Sequence, residues 1–249
     1  MQSKMTSTWL PILGLAFGGL VYAQGAAPQE KKQAETKPSA PAPKRDLSGV
    51  WTLRGGGGRG GEQPELTAWG LEKFKQAKSS NSGEYKLEET NDPVITKCVP
   101  PGTPRVYYHP FPFQFLKDDK SLTMVFEYDH TVRHIFTDGR PVPADPDVTY
   151  MGTSIGHWVD DTTLVVETVG QNTTTWLDRN GHQHSDQLKV TETFHRMDMD
   201  HMEIAAKMED PKALAKPWTV RFNAQLRPKW ELAEQSCAAD NANFAAFEK

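Results

Sequence analysis

The chain has 249 residues, two cysteines and a formal net charge of -4. Its basic residues are scattered, so there is no electrostatic footprint for nucleic acid. After the N-terminal portion is set aside, about two hundred residues remain, enough for a single core.

Residues 1–23 read as a secretory signal peptide: Lys4, an apolar run from Trp9 to Val21, then the small-residue site Val21-Tyr22-Ala23. The run is too short, and too broken by Pro11 and glycines, for a membrane span. Residues 24–45 are rich in Ala, Pro, Lys and Gln and read as a disordered linker, because they lack the apolar surface to offset ordering entropy. A single domain is expected over 46–249. In an exported chain an isolated cysteine pair most simply forms one disulfide, Cys98 to Cys237.

Leu47 to Leu53 is a short strand with a Gly-x-Trp core, as in lipocalins. The glycine run from Arg54 to Gly61 lacks the Lys and the following helix that a phosphate-binding loop needs, so it reads as a flexible loop. Glu65 to Lys78 spaces Leu66, Trp69, Leu71, Phe74 and Ala77 as one apolar helical face. Asp92 to Pro112 is punctuated by prolines and reads as an ordered loop carrying Arg105, Tyr107, Tyr108 and His109 over a cavity mouth.

From Phe113 the pattern turns to period two. Strands are expected around 122–128, 132–136, 153–159, 164–169, 188–196, 202–208 and 218–226, with Asp-rich or proline-rich connections between them. A meander with one N-terminal helix and no βαβ rhythm predicts an all-β fold: an antiparallel, up-and-down, lipocalin-like β-barrel of about eight strands.

Cys98-Val99-Pro100-Pro101-Gly102-Thr103-Pro104-Arg105 resembles a motif of a widespread family of uncharacterised exported bacterial proteins. The resemblance continues through Asp138-Gly139-Arg140-Pro141, Ser154-Ile155-Gly156-His157-Trp158, Thr163-Leu164-Val165-Val166 and Thr175-Trp176-Leu177-Asp178. It extends to His184-Ser185, Lys216-Pro217-Trp218 and Cys237, covering nearly everything after the linker. This chain departs from the family pattern at Val142, where the family has His, and at Val159-Asp160-Asp161, where it has Glu-Gly-Asp. The resemblance implies export, a β-rich fold and a disulfide, but no reaction.

Candidate site residues follow from the alternation. Glu192 shares a face with Leu188, Val190 and Phe194, so its carboxylate is expected inside the barrel, with Arg133 or Arg196 as partner. By the same logic His157 goes inward with Ile155 and Val159. The connection from Trp176 to Asp186 gathers Asp178, His182, His184 and Ser185.

The first functional reading is a small-molecule binding barrel for an apolar or aromatic ligand. Its walls would be Trp158, Trp176, Tyr107 and Tyr128, and its polar anchors Arg133, Glu192, His157, His184 and Arg105. The rival is a cofactor-free enzyme with His184 as base oriented by Asp178, Glu192 as acid and Arg133 holding an anion. A third reading is a structural module in which the inward charges staple the barrel. His182 and His184, one residue apart, lack a selected third ligand, so no metal and no cofactor is assigned. Ser185 lacks the strand-turn-helix setting of a serine nucleophile.

Overall fold

A computed structural model describes residues 39–54, 62–79 and 89–239. The signal-like segment, the linker up to residue 38 and the glycine run 55–61 lie outside the described residues.

Nine strands close into one barrel in chain order: β1 (Gly49–Leu53), β2 (Phe113–Lys117), β3 (Ser121–Phe126), β4 (Val132–Phe136), β5 (Thr153–Trp158), β6 (Thr163–Val169), β7 (Lys189–Arg196), β8 (His201–Glu209) and β9 (Trp218–Leu226). The expected strand positions hold, and β1 closes the barrel against β9 through Trp51 opposite Leu226. The barrel is lipocalin-like, yet it departs from an eight-stranded, wholly antiparallel one. An odd number of strands cannot alternate direction all the way around a closed sheet. One neighbouring pair must run parallel, and it is β4–β5, joined at Ile135–Ser154 and Phe136–Ile155. The proline-rich connection 137–152 therefore has to carry the chain back along the barrel before β5 begins.

Helix α1 (Ala68–Gln76) is shorter than the 65–78 pattern suggests. It is capped by the Thr67 side chain, which accepts from Gly70 N at 3.1 Å. The proline-punctuated segment holds more regular structure than expected: a one-turn helix, α2 (Pro93–Thr96), capped by Asp92, and a 3-10 turn over Arg105–Tyr108. The linker reading also ends too late. Ser39 Oγ donates to Asp200 at 3.0 Å, Met199 N donates to Ala40 O at 2.7 Å, and Lys44 pairs with Asp161 at 2.8 Å. Residues 39–45 thus lie on the barrel.

Inward positions are dominated by aromatic and long aliphatic side chains, among them Trp51, Phe113, Phe115, Met124, Leu164, Phe194 and Phe222. Burying each such side chain contributes roughly 1.5–3 kcal/mol. Cys98 and Cys237 form the disulfide, with Cα atoms 5.5 Å apart and a sequence separation of 139. It ties the tail to the start of the segment that covers one barrel mouth.

Candidate functional site

The barrel centre holds an ion pair. Glu192 on β7 and Arg133 on β4 are both fully buried and bonded through both carboxylate oxygens. Arg133 Nη1 reaches Glu192 Oε1 at 3.0 Å, and Nη2 bonds Oε2. The rest of the guanidinium is used as well: Nε donates to Ser154 Oγ at 3.0 Å and Nη2 to Thr168 Oγ1 at 2.8 Å. Glu192 Oε1 also accepts from Thr103 Oγ1 at 3.1 Å and from the Tyr107 hydroxyl at 2.7 Å. Burial penalises the Arg133 charge, but the facing Glu192 carboxylate more than offsets this, and its pKa rises. Burial first, and then the same carboxylate, push the Tyr107 phenol well above its ordinary range. Arg196, the other partner considered for Glu192, sits at the opposite end, donating to Asp46 O and Met199 O.

Tyr107 comes from a connection and not from a strand, as does Tyr108, which meets Phe222 at 5.2 Å. The Tyr107 centroid lies 5.3 Å from Phe222, 6.0 Å from Phe126 and 6.1 Å from Phe113. The loop behind it is held by a reciprocal amide pair: Thr103 N donates to Gln171 Oε1 at 2.7 Å, and Gln171 Nε2 donates to Thr103 O at 2.9 Å.

The other expected site residues do not gather here. His157 is exposed, which reverses the assigned phase of β5. Gly156 pairs with Val166 and Ser154 with Thr168, so even-numbered positions of β5 face inward. The apolar alternation of Ile155 and Val159 misleads because the inward residues are small for a reason. Ser154 bonds Arg133, and a Cβ at Gly156 would come within 2.9 Å of Ile135 Cγ2. Trp158 faces inward, partly buried against the core, near the short 159–162 turn. Arg105 is buried above the mouth, where it pairs with Asp92 at 2.5 Å, donates to Asp178 O and lies over Trp176. Tyr128 stacks on His109 at 4.0 Å and donates to Val94 O, away from Glu192's partners.

The enzyme constellation is likewise not assembled. Both ring nitrogens of His184 are occupied: Nδ1 lies 2.9 Å from Ser185 O and Nε2 lies 2.8 Å from Thr175 Oγ1. A carbonyl only accepts, so Nδ1 carries a proton, while Nε2 faces a Thr175 hydroxyl that also lies 2.9 Å from Asn172 O. Burial holds the His184 pKa below its ordinary range, in keeping with a neutral ring. Asp178 bonds His182 instead, with Oδ2 2.7 Å from Nδ1. Ser185 Oγ donates to Asp210 at 2.7 Å.

The chain matches no protein-family model and no curated protein. Its chemistry is therefore read from its own geometry. Two parts of that geometry were missed from sequence. Thr103, Ser154 and Thr168 complete the central network, and only small polar residues at inward positions signalled them. The Asp178–His182 pair follows from Asp178-Arg179-Asn180-Gly181. An Asp before such a turn accepts backbone N–H groups just downstream, which brings the returning His182 to its carboxylate. Among the described residues no group of three metal-ligating side chains occurs, and no helix is long and apolar enough to cross a membrane.

Proposed function

We propose that this protein is an exported small-molecule binder whose ligand is an aromatic molecule with one polar group, taken into the barrel in the place held by Tyr107. The observation that carries this reading is the position of Tyr107: a loop-borne phenol ringed by Phe113, Phe126 and Phe222, its hydroxyl on the Glu192–Arg133 pair. Those side chains are what such a ligand needs, apolar walls with a few placed polar groups. The Arg105–Tyr108 segment then acts as a displaceable plug, and the domain 46–249 with its leader and linker as an export unit. The signal-like residues 1–23 and the disulfide support export.

The complete pairing of Arg133 and Glu192 favours a second reading, in which the network only staples the barrel. Calorimetric titration with p-cresol and toluene separates the two. The binding reading expects p-cresol to bind about tenfold more tightly than toluene, a difference of about 1.4 kcal/mol, and expects faster amide exchange in 98–112 with p-cresol bound. Glu192→Gln should narrow the preference. Failure of both probes to bind at millimolar concentration, together with no carried molecule in native mass spectra of protein from its own periplasm, would overturn the binding reading.

A further inference from the structure

Asp178 and His182 form a buried acid–imidazole pair in the barrel cap. Asp178 Oδ1 accepts the backbone N–H groups of Asn180 at 2.9 Å, and of Gly181 and His182 at 3.2 Å each. Those bonds fix the carboxylate plane, and Oδ2 is then left facing His182 Nδ1 at 2.7 Å. Burial would raise the Asp178 carboxyl, but the bond to His182, joined by these backbone bonds, holds it below its usual pKa. An ionised carboxylate can only accept, so Nδ1 bears a proton and Nε2 is the ring nitrogen turned away from Asp178.

The ring is clamped from two further elements. Phe74 of α1 stacks on it at 4.5 Å with planes 5° apart, and Trp218 at the start of β9 meets it edge-on at 5.6 Å. Three separate pieces of chain thus orient one imidazole. Its Nε2 makes no hydrogen bond to any described residue. His184, two residues on, shows what a purely structural histidine does in the same connection: it uses both nitrogens on protein partners. Phe74 is only half-buried, whereas His182 and Trp218 are buried, at 3% and 7% exposure.

We propose that Asp178 and His182 form a general-base dyad, a second site acting on a small aryl ester held against the Phe74 and Trp218 rings. A carboxylate-oriented imidazole with a free Nε2 is the arrangement that water activation needs. In the step, a water oxygen bonds to the acyl carbon while its proton passes to Nε2. The aryl oxygen leaves with the C–O electron pair and takes that proton from the imidazolium. Ester and water give carboxylic acid and phenol, and His182 returns to its neutral form. His182 is the catalytic residue and Asp178 a positioning residue.

The test uses 4-nitrophenyl acetate on the full exported chain, following nitrophenolate release. The expected outcome is saturable turnover, lost by at least about tenfold in His182→Gln, a change of 1.4 kcal/mol or more in activation free energy. His157→Ala, on the exposed face of β5, should retain it. Asp178→Asn should lower kcat while leaving KM within about twofold, since it disturbs the tautomer and not the aryl contacts. Circular dichroism establishes that each variant is folded. Diethyl pyrocarbonate mapping supplies a second readout: His182 should be carbethoxylated in the native protein and spared when the ester product 4-nitrophenol is added. Equal rates in wild type and folded His182→Gln, or a His182 inert to the reagent until the protein unfolds, would overturn the dyad. The two sites share no residue, although Arg105 of the plug donates to Asp178 O, so p-cresol binding is read separately by calorimetry.

Discussion

The two ends of the barrel are built by different means. At one end the strands are joined by the short turns 118–120, 159–162 and 197–200. At the other they are joined by 54–112, 127–131, 170–188 and 210–217, most of them long, while 137–152 runs from the short-turn end back to this one. The short end is held by local bonds in which an Asp accepts from the backbone two residues on, as Asp160 does from Thr162 N at 2.7 Å and Asp198 from Asp200 N at 2.8 Å. The long end is held by side chains far apart in sequence: Thr103 with Glu192, Arg105 with Asp178, and Cys98 with Cys237. One end is local chemistry repeated, and the other is a single tertiary network. Every candidate site lies in or beneath the second.

The largest break in that contrast is Glu192→Ala. It leaves the Arg133 guanidinium buried without its counter-charge and should cost about 3–5 kcal/mol, read by urea denaturation. The double variant Arg133→Met with Glu192→Leu should recover much of this, because an apolar pair of similar volume needs no compensation. Cys98→Ser with Cys237→Ser should come next, at about 2–4 kcal/mol. Hydrogen exchange should place that loss in 89–112 and 227–239 while the short turns keep their protection.

Acid should separate the ends without any mutation. Burial first, and then nearby Arg105, hold His109 well below the ordinary histidine pKa, and burial does the same for His184. Their folded pKa values lie below the unfolded value of about 6.5, so the unfolded chain binds more protons as pH falls. The stabilisation is complete above that pH and declines beneath it, by at most about 1.4 kcal/mol per pH unit for each histidine. At the short end Asp160, through its Thr162 backbone bond, and Asp198, where backbone and His201 bonds outweigh burial, titrate below their ordinary range. Their contribution persists until pH falls below about 4. Exchange measured at pH 5 and 7.5, corrected for intrinsic rates, should show loosening in 98–112 and 182–188 alone.

Tyr107→Phe should cost about 1 kcal/mol, since Glu192 Oε1 retains Thr103 and Arg133 as donors after the hydroxyl is gone. A loss near that of Glu192→Ala would mean that the plug, not the ion pair, carries the network.

The contrast also accounts for what the sequence made legible. Strand positions, the short turns, the inward Glu192 and its Arg133 partner follow from period-two alternation and Asp-turn chemistry, which act over a few residues. The phase of β5 did not, because its inward residues are Ser154 and Gly156, and apolar alternation points to the wrong face. The parallel β4–β5 pair did not either, since strand parity is a property of the closed sheet. His184 was favoured over His182 because both lie in one polar stretch. Only the fold of Asp178-Arg179-Asn180-Gly181 decides which imidazole meets the carboxylate.

Ser39→Ala is the smallest of these changes, and it probes where the barrel's short end begins. The Ser39 hydroxyl donates to Asp200, while Met199 N donates to Ala40 O next to it. The backbone bond survives the substitution, and Asp200 can turn to solvent, so the expected loss is under about 0.5 kcal/mol. A larger loss, with faster exchange at 197–201, would mean that residues 39–45 brace the 197–200 turn as part of the fold. The short end would then depend on a distant segment in the way the long end does, and, since Lys44 pairs with Asp161 in the 159–162 turn, the division between local and tertiary construction would narrow to the turn at 118–120.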